Sequence, residues 1–498
     1  MDMDSSNDSY QWNRRRLLKM VGGGAGVTAL AGCSQQEGDS STGTGTGTDR
    51  SQTEGGQAET DAQTDSGSPM PGGSLSIAAP GDPQNLDPHT TTIDVAQMVL
   101  DNVVEELFEL NKNLEVEPLL AKDYQVSDDE TTYTVSLKEG VSFHTGSELT
   151  AADVKYSIER ILDPDLGSPR AANFELVDSI ETPDEYTVVF ELSQPFAPFV
   201  IGLAESAAIL PEGAGEERDL KQSPVGTGPF SLSNWETDDT VVLEKFDDYH
   251  DDDLPYLDDA TFNVIPEAAT RQTQLQSGSA DMMFGVPFQQ VSQIENADGV
   301  NLQSTSGLWK QSFWFNTEEP PFDDPRVRRA VSHAINRPQL VQGVLFGNGE
   351  VAHSPVPPTS TWQDRITDDN VQDFSREKAE SLFEEAGVDP ASIQTSIKAS
   401  RTPGPTYADT ATLVQSHLSQ LGMQVDVEIM DFSTWLQEVW VDKNYQLSVG
   451  SWSGRIDPDG WYYRQYHSET LEHLALLERR SRQLSRGGPN DDRSREAR

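Results

Sequence analysis

The chain has 498 residues, 83 acidic and 35 basic, which gives a formal net charge of −48 at pH 7. That length can bury two or three cores, and apolar residues, 35 % of the chain, keep their periodicity along most of it, which excludes wholesale disorder. So large an acid excess excludes nucleic acid as a partner, and a single cysteine excludes both a disulfide framework and a cysteine-based zinc site.

The acids are spread over the body rather than packed into one tail, and lysine is scarce, 11 Lys against 24 Arg. This pattern is expected of a surface adapted to high salt, where screening relieves self-repulsion, and so of a halophilic source. At the start, Arg14 and Arg15 lead into Arg16-Leu17-Leu18-Lys19 and then the weakly apolar, Gly-rich run Met20 to Ala31. The run is too short to span a bilayer, which takes roughly twenty apolar residues. A charged head, a short apolar stretch and small residues at a cleavage point describe a signal peptide over residues 1–32. The paired arginines resemble a twin-arginine signal. Leu30-Ala31-Gly32-Cys33 resembles a lipobox, which implies a lipid on the Cys33 thiol, cleavage just before it, and a place on the outer face of the cell membrane. Residues 33–73 then hold Ser, Thr, Gly, Gln, Asp and Glu with almost nothing apolar, a disordered tether that cannot bury a core.

The folded body is expected to open with an alternating strand at Ser74. Helical spacing runs from Asp94 to Leu107, with Val95, Met98, Val99, Asn102, Val103 and Leu107 in phase. A strand follows over 132–138. Thr150 and Asp153 read as a capping box for a helix carrying Val154, Ile158, Ile161 and Leu162. Asp324-Pro325 puts a cap and a first-turn proline before Val327, Ala330, Val331, Ala334 and Ile335. Ser375 caps a helix with Ala379, Leu382, Phe383 and Ala386, stopped by Gly387. Another helix carries Leu413, Val414, His417, Leu418 and Leu421 and stops at Gly422, before Val425, Val427 and Ile429 alternate as a strand. Such αβ units with short connections predict an α/β architecture, and the length predicts more than one lobe, with small ligands bound between lobes.

Several stretches, in order, carry a resemblance. They are Asn85-Leu-Asp87-Pro88; the long segment Tyr133 to Asp153, with Phe143-His144 at its centre; Pro224-Val-Gly226-Thr-Gly228-Pro229-Phe230; and Pro255-Tyr-Leu-Asp258. Then come Asn316, Pro321-Phe-Asp-Asp-Pro-Arg326-Val-Arg328, Ala334-Ile-Asn336-Arg337 and Gly450-Ser-Trp452-Ser-Gly454-Arg455-Ile-Asp457-Pro458. Together, from about residue 73 to about residue 468, they resemble the peptide/nickel-type (family 5) solute-binding proteins of ABC importers; with the twin-arginine signal and lipobox, a haloarchaeal member is expected. The resemblance implies a two-lobed, type II periplasmic-binding-protein-like α/β fold in the three-domain family 5 variant. Domain I would be discontinuous, 74–104 and 225–305; domain II would be 105–224; domain III would be 306–470. Pro224 to Pro229 suits a crossing between domains, with glycines for unusual backbone angles and prolines for rigidity. It lacks the Gly-Lys-Ser/Thr ending of a phosphate loop.

By the same resemblance Trp452 lies beside the ligand. Three residues on, the family's peptide binders carry an aspartate that pairs with the peptide's α-amino group, whereas this chain has Arg455. An arginine cannot hold an ammonium group, but it can grip a carboxylate or phosphate with two prongs. Arg455 therefore either binds an acidic ligand or pairs with Asp457 or another buried acid; a register shift that makes Asp457 the ammonium anchor is a third option. Of the aromatic cluster Trp309, Phe313, Trp314 and Phe315, most reads as core and Trp309 as a candidate to reach the cleft; Trp461, Tyr462 and Tyr463 divide similarly. The acids of Asp247 to Asp253, around His250, read as surface decoration rather than a metal site, and His144 as a structural hydrogen-bonding residue.

No catalytic site, metal or cofactor is expected: there is no His-Glu-x-x-His and no Gly-x-Ser-x-Gly, and lipidation would consume the sole thiol. The expected function is extracellular capture of a peptide or other small solute for an ABC permease and its ATPase, by a lipid-anchored monomer. The alternatives are a chemosensory receptor subunit of the same fold and, lower, an extracellular hydrolase. Residues 471–498 depart from all of this. They hold seven Arg, no Lys and five acids, net +2 against −50 for the rest. A reading frame shifted near residue 470 is expected, which would leave the last domain incomplete.

Overall fold

The computed structural model describes residues 71–354, 356, 358, 371–401, 406–452 and 456–457. Arg14, Arg15, Cys33, Arg455, Trp461, Tyr462, Tyr463 and the tail 471–498 lie outside the described residues. In chain order the strands are β1 (Ser74–Ala79), β2 (Phe108–Leu110), β3 (Val116–Pro118), β4 (Ala121–Val126), β5 (Thr132–Leu137), β6 (Val177–Asp184), β7 (Thr187–Leu192) and β8 (Phe230–Glu236). After them come β9 (Thr240–Lys245), β10 (Asp259–Val264), β11 (Met282–Met283), β12 (Lys310–Phe315), β13 (Gln394–Ser400), β14 (Gln424–Met430) and β15 (Leu447–Trp452). The helices that matter below are α1 (Asp94–Leu100), α2 (Ala151–Leu162), α3 (Phe199–Glu205), α4 (Ala268–Ser277), α5 (Pro325–Ala334), α6 (Arg376–Ala386), α7 (Thr406–Ser419) and α8 (Phe432–Trp435), the last running on into a π-helical turn (Leu436–Val441). Among the described residues, no helix is long and apolar enough to cross a membrane.

Three separate cores organise these elements. The first lies on the sheet β11-β1-β10-β9-β8, in which β1 runs parallel to both neighbours, and takes Leu75, Ile77 and Ala79 from β1 with Val95, Val99 and Leu100 from α1. The second lies under the antiparallel sheet β4-β5-β7-β6, where Tyr133, Val135 and Leu137 alternate inward onto Val154 and Ile158 of α2 and Phe199 of α3. The third gathers Val327 and Val331 of α5, Phe383 of α6, and Val414 and Leu418 of α7 against Ile397, Leu447 and Val449 in the sheet β12-β15-β13-β14. Each fully buried side chain of this size contributes roughly 1.5–3 kcal/mol.

The helix starts follow local capping chemistry. The Asp153 carboxylate accepts from the Thr150 N–H at 2.7 Å and its hydroxyl at 2.8 Å, closing the start of α2. Asp324 accepts from the Arg326 N–H at 2.8 Å ahead of the proline of α5, and Ser375 accepts from the Lys378 N–H at 3.2 Å at α6. Gly387, at φ +70°, ends α6 in the left-handed region as a C-terminal glycine should.

One expected helix is shorter than its periodicity. α1 stops at Leu100 and gives way to turns over residues 101–103, where Asn102 and Val103 meet the returning segment 226–230. Gly228 N–H donates to Val103 O and Phe230 N–H to Asn102 O, both at 3.0 Å. Val103 is buried in the first core at this crossing and Leu107 in the second core, neither on a helix face. The crossing also corrects the role assigned to its glycines. Neither Gly226 nor Gly228 has a positive φ. A Cβ on Gly228 would sit 2.6 Å from Asn102 O, and one on Gly226 would strike Val103 O. Glycine is needed because two backbones touch, not because the angles are unusual. The stretch that precedes this return, including Ala208, Leu210, Ala214 and Leu220, packs into the first core.

Candidate functional site

In the last sheet, β13 runs parallel to both β14 and β15. α7 connects β13 to β14 on the side of the third core. α8 and the π-helical turn connect β14 back past β13 to β15 on the other side, where the Trp435 Nε1–H donates to Ser448 Oγ at 3.0 Å. The chain thus winds one way and then reverses about β13. In α/β sheets the crevice at the carboxyl ends of the strands beside such a reversal is where ligands bind. Here that edge holds Ser400, Met430 and Trp452, the last residues of the three parallel strands. β12 is antiparallel to β15, so its first residue, Lys310, pairs with Trp452 at the same edge.

Period-two alternation assigns the faces. Gln311 Nε2–H donates to Thr406 O at 3.2 Å, and Phe313 and Phe315 pack against the third core, so these side chains face α7. Trp314 faces the other way, with its ring centroid 5.5 Å from that of Trp435 and 6.0 Å from that of Trp440. Its indole spreads over Gly450, where a Cβ would lie 2.6 Å from a ring carbon, so the glycine that begins the Gly450-Ser-Trp452 motif makes room for Trp314. On the same face Lys398 Nζ is 2.6 Å from the Glu438 carboxylate and also donates to Asn444 O.

Trp309, just before β12, is 47 % exposed and stands apart from the third core, unlike Phe313 and Phe315. Its ring meets Tyr407 edge-on, centroids 6.4 Å apart, and the Tyr407 hydroxyl is 2.5 Å from Ser451 Oγ. Trp309, Tyr407, Ser451 and the backbone of Trp452 thus share one corner of the sheet edge, which Lys310 borders. Asp457 is half-buried five residues beyond β15. Arg455, the other residue singled out by sequence, is not among the described residues.

Three functional-looking groups escaped the sequence reading. Lys310 is buried, and burial pushes its amine down to about 8. Arg271 of α4 donates to the carbonyls of Ile265, Pro266, Phe284 and Gly285 at 2.7–3.1 Å. It ties together the loops that leave β10 and β11 at the carboxyl edge of the first sheet. Glu105 is buried at the crossing and accepts from the Thr227 hydroxyl at 2.9 Å, the Tyr249 hydroxyl at 2.8 Å and His250 Nε2 at 2.9 Å. His250 thus turns inward to Glu105, while the neighbouring Asp247, Asp248, Asp252 and Asp253 are exposed. His144 has a structural setting too: its Nε2 is 2.9 Å from Gly228 O and its ring meets Phe246 edge-on.

Comparison with known proteins agrees with this geometry. The model of bacterial extracellular solute-binding proteins, family 5 Middle, matches residues 115–472. The glutathione-binding protein GsiB of Escherichia coli (strain K12) is 32 % identical over 383 residues, 76 % of this chain and 74 % of that protein. The periplasmic binding protein DppA of Helicobacter pylori, solved with the peptide STSA, superposes with a TM-score of 0.65 at 28 % identity, covering 79 % of this chain and 81 % of that one. The oligopeptide-binding protein AppA of Bacillus subtilis, solved with a nonapeptide, gives 0.65 at 28 % identity over 82 % and 85 %. All three are binding proteins rather than enzymes, and the mixed α/β fold is the two-lobed, type II one of this group. The chain belongs to the extracellular solute-binding proteins of family 5.

Proposed function

We propose that the chain is a lipid-anchored extracellular receptor that captures a peptide-like or acidic small solute between its lobes and hands it to an ABC permease and its ATPase. The observation that carries this reading is the carboxyl edge of the last sheet. There the chain reverses direction, Trp452 ends β15 opposite Lys310, and the half-exposed Trp309 stands beside them. The relatives' ligands, glutathione and peptides, support a solute bearing free carboxylates. Trp452 and Trp309 supply aromatic contact. Arg455 grips a solute carboxylate, and Asp457 either orients Arg455 or meets an amino group. The signal at Arg14 and Arg15 directs export, the lipid on Cys33 holds a monomer at the outer face of the membrane, and residues 34–73 let it reach the permease. The three cores support a division into domain I (74–104 and 225–305), domain II (105–224) and domain III (306–470), with 208–220 packed on the side of domain I.

The test is native mass spectrometry of the full chain incubated with pools of short peptides and acidic solutes. A receptor returns its ligand unchanged; cleavage products would overturn the reading in favour of a hydrolase. Arg455→Ala should weaken acidic solutes more than neutral ones, and equal losses for both would sink the carboxylate grip. Cys33→Ser should release the protein from membranes.

A further inference from the structure

We propose that Phe288 and Phe346 form an aromatic clamp that takes an apolar side chain of the captured solute between the first and last sheets. This assignment rests on the receptor reading above and narrows its substrate class to peptide-like solutes with an apolar side chain.

The topology brings the two residues to the same place. β1 runs parallel to β10 and β11, so all three end at one carboxyl edge of the first sheet. The segment leaving β11 there begins with Phe284 and Gly285, whose carbonyls Arg271 holds at 3.1 and 2.9 Å, and it leads to Phe288. On the other side, the helix Arg337–Val344 lies antiparallel to α7: Gln339 Oε1 is 2.8 Å from His417 Nε2, and Gly343 packs on Leu413. Its last turn therefore points toward Thr406, where α7 begins at the carboxyl edge of the last sheet. Phe346 follows directly, and the Ser306 hydroxyl donates to the Glu350 carboxylate at 3.0 Å, which ties this turn to the run that enters Trp309 and β12.

Asn348 joins the two sides. Its Nδ2 lies 2.9 Å from Leu345 O, 3.3 Å from Phe346 O and 3.4 Å from Phe288 O. The last distance is at the long end of hydrogen bonding. It sets the two phenylalanine backbones side by side without locking the sheets together.

The conformation of Phe346 argues for a use beyond packing. It lies just past the helix's C-cap, Leu345, at φ +54°. That left-handed position is usually filled by glycine, and a bulky residue there is an outlier. Half of the Phe346 surface, 51 %, is still exposed, so burial of the ring does not account for the strain; Phe288 is 36 % exposed. Strained residues of this kind are found where function uses them. Two rings left facing water at the meeting of two carboxyl edges gain by covering each other's solute: an apolar side chain entering between them removes its own surface and part of theirs from water.

The test uses the full chain with four probes: trialanine and the three tripeptides in which one alanine gives way to phenylalanine. Affinities are read by calorimetry and stabilities by urea unfolding. Wild type should bind at least one phenylalanine-containing peptide tenfold or more tightly than trialanine. Phe288→Ser and Phe346→Gly should each bring that ratio to within threefold, and Phe288→Tyr and Phe346→Tyr should keep it. Phe346→Gly should also raise the urea midpoint, because glycine takes a positive φ without strain. A tenfold preference that survives in both Phe288→Ser and Phe346→Gly overturns the clamp, as does a wild type that binds all four peptides alike; in both cases the receptor reading stands. A lowered midpoint in Phe346→Gly overturns it too, by showing that the ring serves the fold. A wild type that binds none of the peptides fails at the earlier step and takes the clamp with it.

Discussion

Asp87 and Arg160 form a two-pronged ion pair between the loop after β1 and α2, with contacts of 2.7 and 3.1 Å. Both side chains are nearly inaccessible, 4 % and 13 % exposed, so the pair joins the first core to the second away from water. His89 completes the joint: its Nδ1 lies 2.9 Å from the Arg160 guanidinium and its Nε2 lies 2.8 Å from Ala208 O. That set of partners requires the neutral ring, with the proton on Nε2. Removing one member of a buried pair leaves the other uncompensated, so Asp87→Asn or Arg160→Met should each cost about 3–5 kcal/mol of unfolding free energy. The double variant should cost less than the two losses added together. Urea titration of the four proteins measures this; additive losses would show that the pair does not act as a unit. The exposed pair Lys122–Glu139, 3.0 Å apart, provides the contrast and should be worth under about 1 kcal/mol.

The same joint predicts how the protein fails in acid. Burial pushes His89 down to about 4. The unfolded chain therefore takes up this proton first as pH falls, and stability is lost between pH 6.5 and about 4, by at most about 3 kcal/mol. Glu105 behaves as a depressed acid. Burial alone would raise it, but the hydrogen bond and charge of His250, with the Tyr249 and Thr227 hydroxyls, hold it below its usual 4.5. Its contribution is fully present above pH 4.5 and disappears as pH falls through the lower folded value. Urea midpoints measured from pH 7 to 3 should therefore fall in two stages. His89→Gln should flatten the first and Glu105→Gln the second. An unchanged first stage in His89→Gln would assign that loss to other groups.

What was legible in the sequence followed local rules. Thr150, Asp324 and Ser375 cap their helices because capping needs only a short polar side chain and a nearby N–H, both visible in a few residues. The Gly450-Ser-Trp452 motif was singled out only through resemblance, and its glycine now has a cause in the ring of Trp314. Long-range contacts were not legible. Asn102 to Leu107 keeps a helical spacing of apolar residues, yet the helix ends at Leu100 and only turns follow, where a distant segment, 226–230, lies against the chain. Arg271 sits in the polar helix sequence Thr-Arg-Gln-Thr-Gln and gives no local hint that four carbonyls of two loops converge on it. Lys310 looks like the polar start of an aromatic strand; only the register with β15 brings it opposite Trp452.

Trp309 offers a way to separate binding from folding. Nearly half of its surface is exposed, and the ring of Tyr407 is met only by an edge. Trp309→Ala should therefore cost under about 1 kcal/mol of stability. If the corner it occupies receives the solute, the same change should weaken binding by tenfold or more, since an aromatic anchor in a ligand pocket is worth about 2 kcal/mol. Calorimetry for affinity and urea unfolding for stability give the two numbers. Unchanged affinity with unchanged stability would place the solute elsewhere.

The crossing at Gly226 and Gly228 sets the most severe expectation for a single methyl group. A Cβ on Gly228 would lie 2.6 Å from Asn102 O and 2.7 Å from the Val103 carbonyl carbon; one on Gly226 would lie 2.7 Å from Val104 Cα. These are backbone atoms, held by the hydrogen bonds that run from Gly228 to Val103 and from Phe230 to Asn102. They cannot turn aside as a flexible side chain would, so the two strands must separate. That separation also strains Thr227, whose hydroxyl reaches Glu105 from between the two glycines. Each of Gly226→Ala and Gly228→Ala should thus cost at least about 3 kcal/mol, at the upper end for overpacking, and reduce soluble yield. Gly81→Ala is the control: nothing lies within 4 Å of its Cβ and its φ is not positive. It should change stability by less than about 0.5 kcal/mol. Comparable losses at Gly81 and Gly228 would mean that chain flexibility, rather than contact between the two crossing backbones, is what these glycines provide.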